Sequence, residues 1–216
     1  MNRIELQNIS KTIKGNEVLK NISLQFESGS IYGFVGRNGS GKTMLFRMIA
    51  GLIRPTAGTV KYNGKALGAE LDIIPRLGLV IENVGLYPEF TGLENLRLLA
   101  GINSLIGEEE IRAAIARMGL DPDDRRRVRK YSLGMKQRIV LAQAIMEHPD
   151  VLILDEPTNA LDEEGVSMIR AVIREEKERG ALVLIASHNK EDISSLCDKI
   201  YLMRSGVCTE LKESEE

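Results

Sequence analysis

The sequence predicts an α/β fold: a mixed sheet joined to an N-terminal antiparallel β portion and interrupted by an inserted helical one. Three observations carry that assignment. A short apolar, β-prone stretch, Ile31–Val35, runs into a glycine-rich turn and then into the apolar helical stretch Met44–Ala50, which closes at Gly51. Two further runs, Val151–Leu154 and Ala181–Ala186, are continuously apolar, the pattern of parallel strands covered on both faces. Between these units, residues from about Gly85 to Ala144 switch to helical periodicity.

Taken in order, residues 1 to about 27 alternate as antiparallel strands, with Ile22, Leu24 and Phe26 set against Ser23 and Gln25. Thr59–Tyr62 reads as a strand closed by the Asn63-Gly64 turn, and residues 77–81 as another buried strand. Ile111, Ile115 and Met118 share a helix face behind an acidic first turn of Glu108, Glu109 and Glu110, and the pattern stops at Gly119. The helix expected over 163–179 buries Val166, Ile169, Val172 and Ile173 and ends at Gly180, while Lys212–Glu216 is expected to be a frayed acidic tail. The result is one domain over 1–216, with a core of 1–82 and about 145–216 and a helical subdomain of about 83–144.

Composition narrows the class. A chain of 216 residues can bury an α/β core, and a net charge of −2 with a pI near 5.9 gives no bulk attraction to nucleic acid. No apolar run approaches the roughly 18 residues that span a bilayer, and the N-terminus lacks the apolar segment of a signal peptide. Cys197 and Cys208 have no metal-binding spacing and read as free thiols in a reducing cytosol. A soluble, intracellular chain is expected, with any membrane role supplied by a partner.

The chemistry starts at Gly36-Arg37-Asn38-Gly39-Ser40-Gly41-Lys42-Thr43, which matches G-x-x-x-x-G-K-[ST] between a strand and a helix. That context points several backbone N–H groups at one spot, in line with the helix dipole. Lys42 can reach the outer phosphates of a nucleoside triphosphate, and the Thr43 hydroxyl can ligate Mg²⁺. Asp155 closes the second apolar run, where a carboxylate can hold Mg²⁺ through water, and Glu156 follows it. Adjacent carboxylates at a strand end point differently, which permits one to serve the metal and the other to polarise an attacking water. Leu-Asp-Glu-Pro after the apolar run resembles the hydrolytic site of P-loop ATPases.

Tyr131-Ser132-Leu133-Gly134-Met135-Lys136-Gln137-Arg138 extends the resemblance to the ATP-binding subunits of ABC transporters, over essentially the whole chain. It is similar to that family's signature loop, just upstream of the Asp155 strand, with Ser132 placed to cap the helix from about Met135 to Met146. The resemblance implies an ABC-type P-loop NTPase fold. It also implies that Ser132, Leu133, Gly134 and Met135 cover the γ-phosphate of ATP held by a second subunit, identical or not. Asn159-Ala160-Leu161-Asp162 resembles the loop that crosses such a dimer, and His188, after the last apolar strand, resembles the histidine that contacts the γ-phosphate. His148, ahead of the Val151 strand, reads as structural.

Three departures stand out. Glu82 occupies the position of the family's loop glutamine; it can ligate Mg²⁺ but cannot donate a hydrogen bond to water. Leu133 and Met135 replace a glycine and a glutamine, and with Glu82 they are similar to the bacitracin, lantibiotic and multidrug export branch. Ile13 falls near the aromatic that stacks on adenine, which implies looser selection of the base. The resemblance therefore implies a Mg²⁺-dependent ATPase that powers export of a drug or peptide. It would sit at the inner face of the plasma membrane through a separate transmembrane permease subunit. Leu86, Tyr87, Pro88 and Phe90 are either the contact for that permease or core packing. An ATPase acting on nucleic acid or the ribosome is the alternative, supported only by the basic run Asp124–Lys130. That run lacks interleaved aromatics, and the interval from Thr43 to Ser132 is too short for a repair-type coiled-coil insertion. No nucleic-acid partner is expected. A module that binds ATP without hydrolysing it is opposed by the Asp155-Glu156 pair.

Overall fold

The computed structural model describes residues 1–81, 85–188 and 190–211. The tail Lys212–Glu216 lies outside them. β1 (Arg3–Ile13) and β2 (Asn16–Glu27) form an antiparallel hairpin, and β1 pairs on its other edge with β4 (Ala57–Tyr62), which leads through Asn63-Gly64 to the two-residue β5 (Lys65–Ala66). This four-stranded sheet runs in the order β2-β1-β4-β5. The second sheet comprises β3 (Ile31–Val35), β6 (Leu77–Val80), β7 (Val151–Asp155), β8 (Leu182–Ala186), β9 (Lys199–Arg204) and β10 (Val207–Leu211). Its order is β10-β9-β3-β8-β7-β6, with every pair parallel except the β9–β10 edge. The expected mixed sheet is present.

The uninterrupted apolar runs follow from burial on both faces. Val151 and Ile153 of β7, with Leu182, Leu184 and Ala186 of β8, turn toward the antiparallel sheet. Leu152, Leu154, Val183 and Ile185 turn the other way, under the helices. α1 (Lys42–Ile49) fills the first core, with Phe46 edge-on to Phe34 at 5.2 Å between ring centroids. The second core is built with α2 (Gly92–Asn103), α3 (Glu108–Arg117), α4 (Leu133–Ile145), α5 (Glu163–Glu178) and α6 (Lys190–Leu196). Among the described residues no helix is long and apolar enough to cross a membrane.

Local signals set the helix ends. Thr91 and Glu94 form a capping box on α2, and Ser132 caps α4, so that helix begins at Leu133, two residues before its expected start. Ile111, Ile115 and Met118 are all buried. Val166, expected in the core, is only half-buried, and its neighbour Gly165 takes the buried position in the first turn of α5. Glu176 is 1 % exposed and accepts from Arg117 of α3 and from Arg179, the C-cap of α5, so a paired buried carboxylate ties the helical part to the core.

The contact between β6 and α4 depends on a missing side chain. A Cβ at Gly78 would lie 2.1 Å from the Ala144 carbonyl oxygen, a backbone atom that cannot rotate away. Gly78→Ala is expected to destabilise the fold by about 1–3 kcal/mol, the usual cost of overpacking. A urea titration should show a lower midpoint with an unchanged slope.

Candidate functional site

The loop Gly36–Thr43 is held tightly. A Cβ at Gly36 would come within 2.4 Å of the Met203 carbonyl oxygen and 2.7 Å of Ser40 Oγ, so no side chain can stand there. Gly41 precedes α1 at φ +112 and offers no side-chain cap, and the first turn of α1 carries no acidic residue. The N–H groups of that turn therefore remain available to an anion. Lys42 is 6 % exposed, and its Nζ donates to the Gly36 carbonyl at 2.7 Å, which brings the ammonium over the loop. Ser40 Oγ is buried without a protein partner. An orphaned hydroxyl inside a ring of donors fits a phosphate oxygen.

The sheet delivers the other half. β7 ends at Asp155, whose Oδ2 accepts from Thr43 Oγ1 at 2.5 Å. Two hard oxygens this close suit Mg²⁺. Among the described residues no cluster of three His, Cys, Asp or Glu side chains exists. Mg²⁺ on a nucleotide needs only one or two protein ligands, so the Thr43–Asp155 pair is sufficient for such a site. Glu156 follows in the left-handed region at φ 51, with its N–H bonded to the Ala186 carbonyl at 2.8 Å. That backbone conformation is costly for a non-glycine residue and clusters at functional sites. Glu156 Oε2 lies 2.7 Å from His188 Nδ1 and accepts from the His188 N–H at 3.3 Å. The carboxyl ends of parallel strands β7 and β8 thus gather Asp155, Glu156 and His188.

These parts border a cleft of about 730 Å³. Asn38 to Thr43 form its floor, with Met44 and Arg47 of α1; Asp155, Glu156, Asn159 and Ala160 form one wall, and Leu133 and Gln137 of α4 another. Of the expected site residues, Gly36, Arg37, Ser132, Gly134, Met135, Leu161, Asp162 and His188 do not line the cleft. Ile13, 38 % exposed near the hairpin turn, does not line the cleft either, and Val18 on the facing strand does. Leu19 is fully buried, so its neighbour Val18 must turn to the opposite side, over the loop. Glu82 lies outside the described residues.

The signature-like segment packs on the segment after Glu156. Ser132 Oγ accepts from the Met135 N–H at 3.1 Å, as its expected capping role requires. Gln137 Nε2 donates to the Pro157 carbonyl at 3.1 Å, and Arg138 pairs with Asp162 at 3.2 Å. A Cβ at Gly134 would press on the Ala160 carbonyl oxygen at 3.0 Å. Asp162 also caps α5 by accepting from the Gly165 N–H. Leu133 is 69 % exposed.

Outside the cleft, Leu86 is half-buried against the helical core, whereas Tyr87 and Phe90 are exposed with their rings 5.7 Å apart, so the pair is surface and not core. The basic run is paired locally: Arg126 with Asp124, and Arg127 and Arg129 with Glu89. It presents no uninterrupted positive stripe. Exposed His148 offers its carbonyl to Arg76, and neither residue lines the cleft. Neither cysteine forms a disulfide, and burial pushes the Cys208 thiol up to about 12, away from reactive thiolate chemistry.

Residues 19–159 match a family profile described as ABC transporter. The uncharacterized ABC transporter ATP-binding protein YybJ of Bacillus subtilis (strain 168) is 48% identical over 203 residues, which cover 94% of this chain and 93% of that protein. The bacitracin transport ATP-binding protein BcrA of Enterococcus faecalis is 38% identical over 209 residues, 96% of this chain and 68% of that protein. A solved structure of an ATP-binding subunit of an ABC transporter superposes with a TM-score of 0.85 at 26% identity, covering 96% of this chain and 90% of that one.

Proposed function

Since the chain belongs to the ABC transporter family as an ATP-binding subunit, we propose that it hydrolyses Mg²⁺-bound ATP to power export of a drug or peptide through a separate permease. Glu156 carries the hydrolytic part of this reading: a cleft-lining carboxylate one residue beyond the Thr43–Asp155 pair, held in a strained backbone and hydrogen-bonded to His188. The loop N–H groups and Lys42 bind the β- and γ-phosphates, while Thr43 and Asp155, with Glu82 as a further oxygen donor, hold the metal. Bound Mg²⁺ neutralises charge that develops on the phosphate oxygens. Glu156 takes the proton of the attacking water as its oxygen bonds to the γ-phosphorus and the bond to the departing ADP breaks. His188 does not itself line the cleft, and its Nδ1 lies 2.7 Å from Glu156 Oε2. Its role is to hold the Glu156 carboxylate, and a contact from its Nε2 to the γ-phosphate would require the doubly protonated ring.

The assembly we propose pairs two such subunits, so that Ser132, Leu133, Gly134 and Met135 of each cover the other's triphosphate and Ala160, Leu161 and Asp162 cross between them. The exposure of Leu133, an aliphatic side chain at a capped helix start, supports a buried role there. ATP favours the closed pair only by binding it better than the open one. Exposed Tyr87 and Phe90 support a permease contact that would hold the subunit at the inner face of the membrane. The name of the BcrA relative supports an antibiotic-type cargo.

Phosphate release by the purified chain tests hydrolysis. Release that requires ATP and stops on chelation of Mg²⁺ is expected. Tight ATP binding without any release would leave a binding module instead.

A further inference from the structure

We propose that Gly206, in the turn between β9 and β10, is a positioning residue that sets the phosphate loop and with it the affinity for the nucleotide's outer phosphates. This rests on the reading of the cleft as an ATP site. The turn is a two-residue hairpin, with Arg204 paired to Val207 and both Ser205 (φ 47) and Gly206 (φ 84) in the left-handed region. Its backbone is tied in two directions. The Gly206 N–H donates to the Ser40 carbonyl at 3.0 Å, and the Gly206 carbonyl accepts from the Lys20 N–H at 2.9 Å.

The first bond matters because a peptide plane directs its C=O and N–H oppositely. Holding the Ser40 carbonyl outward turns the Gly41 N–H inward, toward the floor of the cleft. The other bonds of the loop backbone are local: Ser40 N–H to Arg37, Leu45 N–H to Gly41, and Lys42 Nζ to Gly36. Among the described residues, Gly206 alone ties the backbone of 36–41 to a distant segment by a hydrogen bond. Met203 of the same hairpin backs the loop as well, with its carbonyl against Gly36 and its Cε 3.2 Å from a Cβ built on Gly41. A Cβ at Gly206 would lie 2.7 Å from the Val18 carbonyl oxygen. Val18 is a cleft wall, so one glycine joins the loop, that wall and the C-terminal hairpin.

The test compares ATP and ADP binding by wild type, Gly206→Ala and Gly64→Ala. Gly64 has the same left-handed backbone (φ 81) with nothing within 4 Å of its Cβ, so it carries the conformational strain without the clash. Gly206→Ala is expected to weaken both nucleotides by roughly ten-fold or more, raising KM with little change in kcat, because a uniform binding interaction is lost. Gly64→Ala should leave both constants unchanged. Equal affinities in the two variants, with wild type binding ATP normally, would overturn the inference and leave the ATP site standing. Failure of wild type to bind ATP would overturn the underlying reading and this inference with it. Should Gly206→Ala not fold, amide exchange on wild type decides: ATP should slow the Gly206 N–H about ten-fold while sparing that of Gly64, and an unchanged Gly206 rate would refute the role.

Discussion

Glu156→Gln is expected to lower ATP turnover by about 10²–10⁴-fold, the usual contribution of a positioned base, while ATP binding stays near wild type. Glutamine keeps the volume of glutamate and one oxygen that can accept from the His188 backbone and ring, contacts now made at 3.3 and 2.7 Å. What it loses is the charge that accepts a proton from water. The loop floor and the Thr43–Asp155 pair are untouched, so the nucleotide remains held. The same variant should accumulate a two-subunit form when ATP is added, because the contact that favours pairing is no longer removed by hydrolysis. Phosphate release and size-exclusion chromatography with light scattering measure the two effects. Turnover at the wild-type rate would remove Glu156 from the role of base. A strictly monomeric variant in saturating ATP, even beside its permease, would sink the paired arrangement.

Much of this architecture was readable because its signals are local or periodic. The β7 and β8 runs are apolar at every position since two separate cores press on the same strands. The phosphate loop is contiguous, and so is the cap that Ser132 places on α4. The Val18 side of the cleft was not readable. Ile13 sits beyond register shifts between Leu6 and Ile9, Ile9 and Lys11, and Lys11 and Thr12, and each shift breaks the period-two rule that assigns a side chain to a face. Val18 therefore takes the wall, and nothing in its local pattern marks it. Gly206 was invisible for a different reason. Ser205-Gly206 reads only as a turn, and its partner Ser40 lies at the other end of the chain. Val166 shows the limit of helical spacing, which predicts a face but not which residue of that face is covered in the first turn, where Gly165 is the buried one.

Lys42→Ala is the second large effect, and it should appear in binding and not only in turnover. Lys42 is among the few charged side chains that are nearly fully buried, at 6 % exposure, and its ammonium is directed by the Gly36 carbonyl at 2.7 Å. An ammonium has three donors, so this bond leaves capacity for phosphate oxygens. Hydrogen bonds to charged groups contribute about 1.5–3 kcal/mol, which corresponds to a loss of roughly 10–150-fold in affinity. The loss should be larger for ATP than for AMP, because the ammonium reaches the outer phosphates and not the base. Loss of the Gly36 bond by itself would loosen the loop and weaken every nucleotide alike, so the ATP-to-AMP ratio separates charge from scaffolding. Titration of a fluorescent ATP analogue, with ATP and AMP as competitors, measures that ratio. An unchanged ratio would mean that Lys42 shapes the loop without touching the outer phosphates.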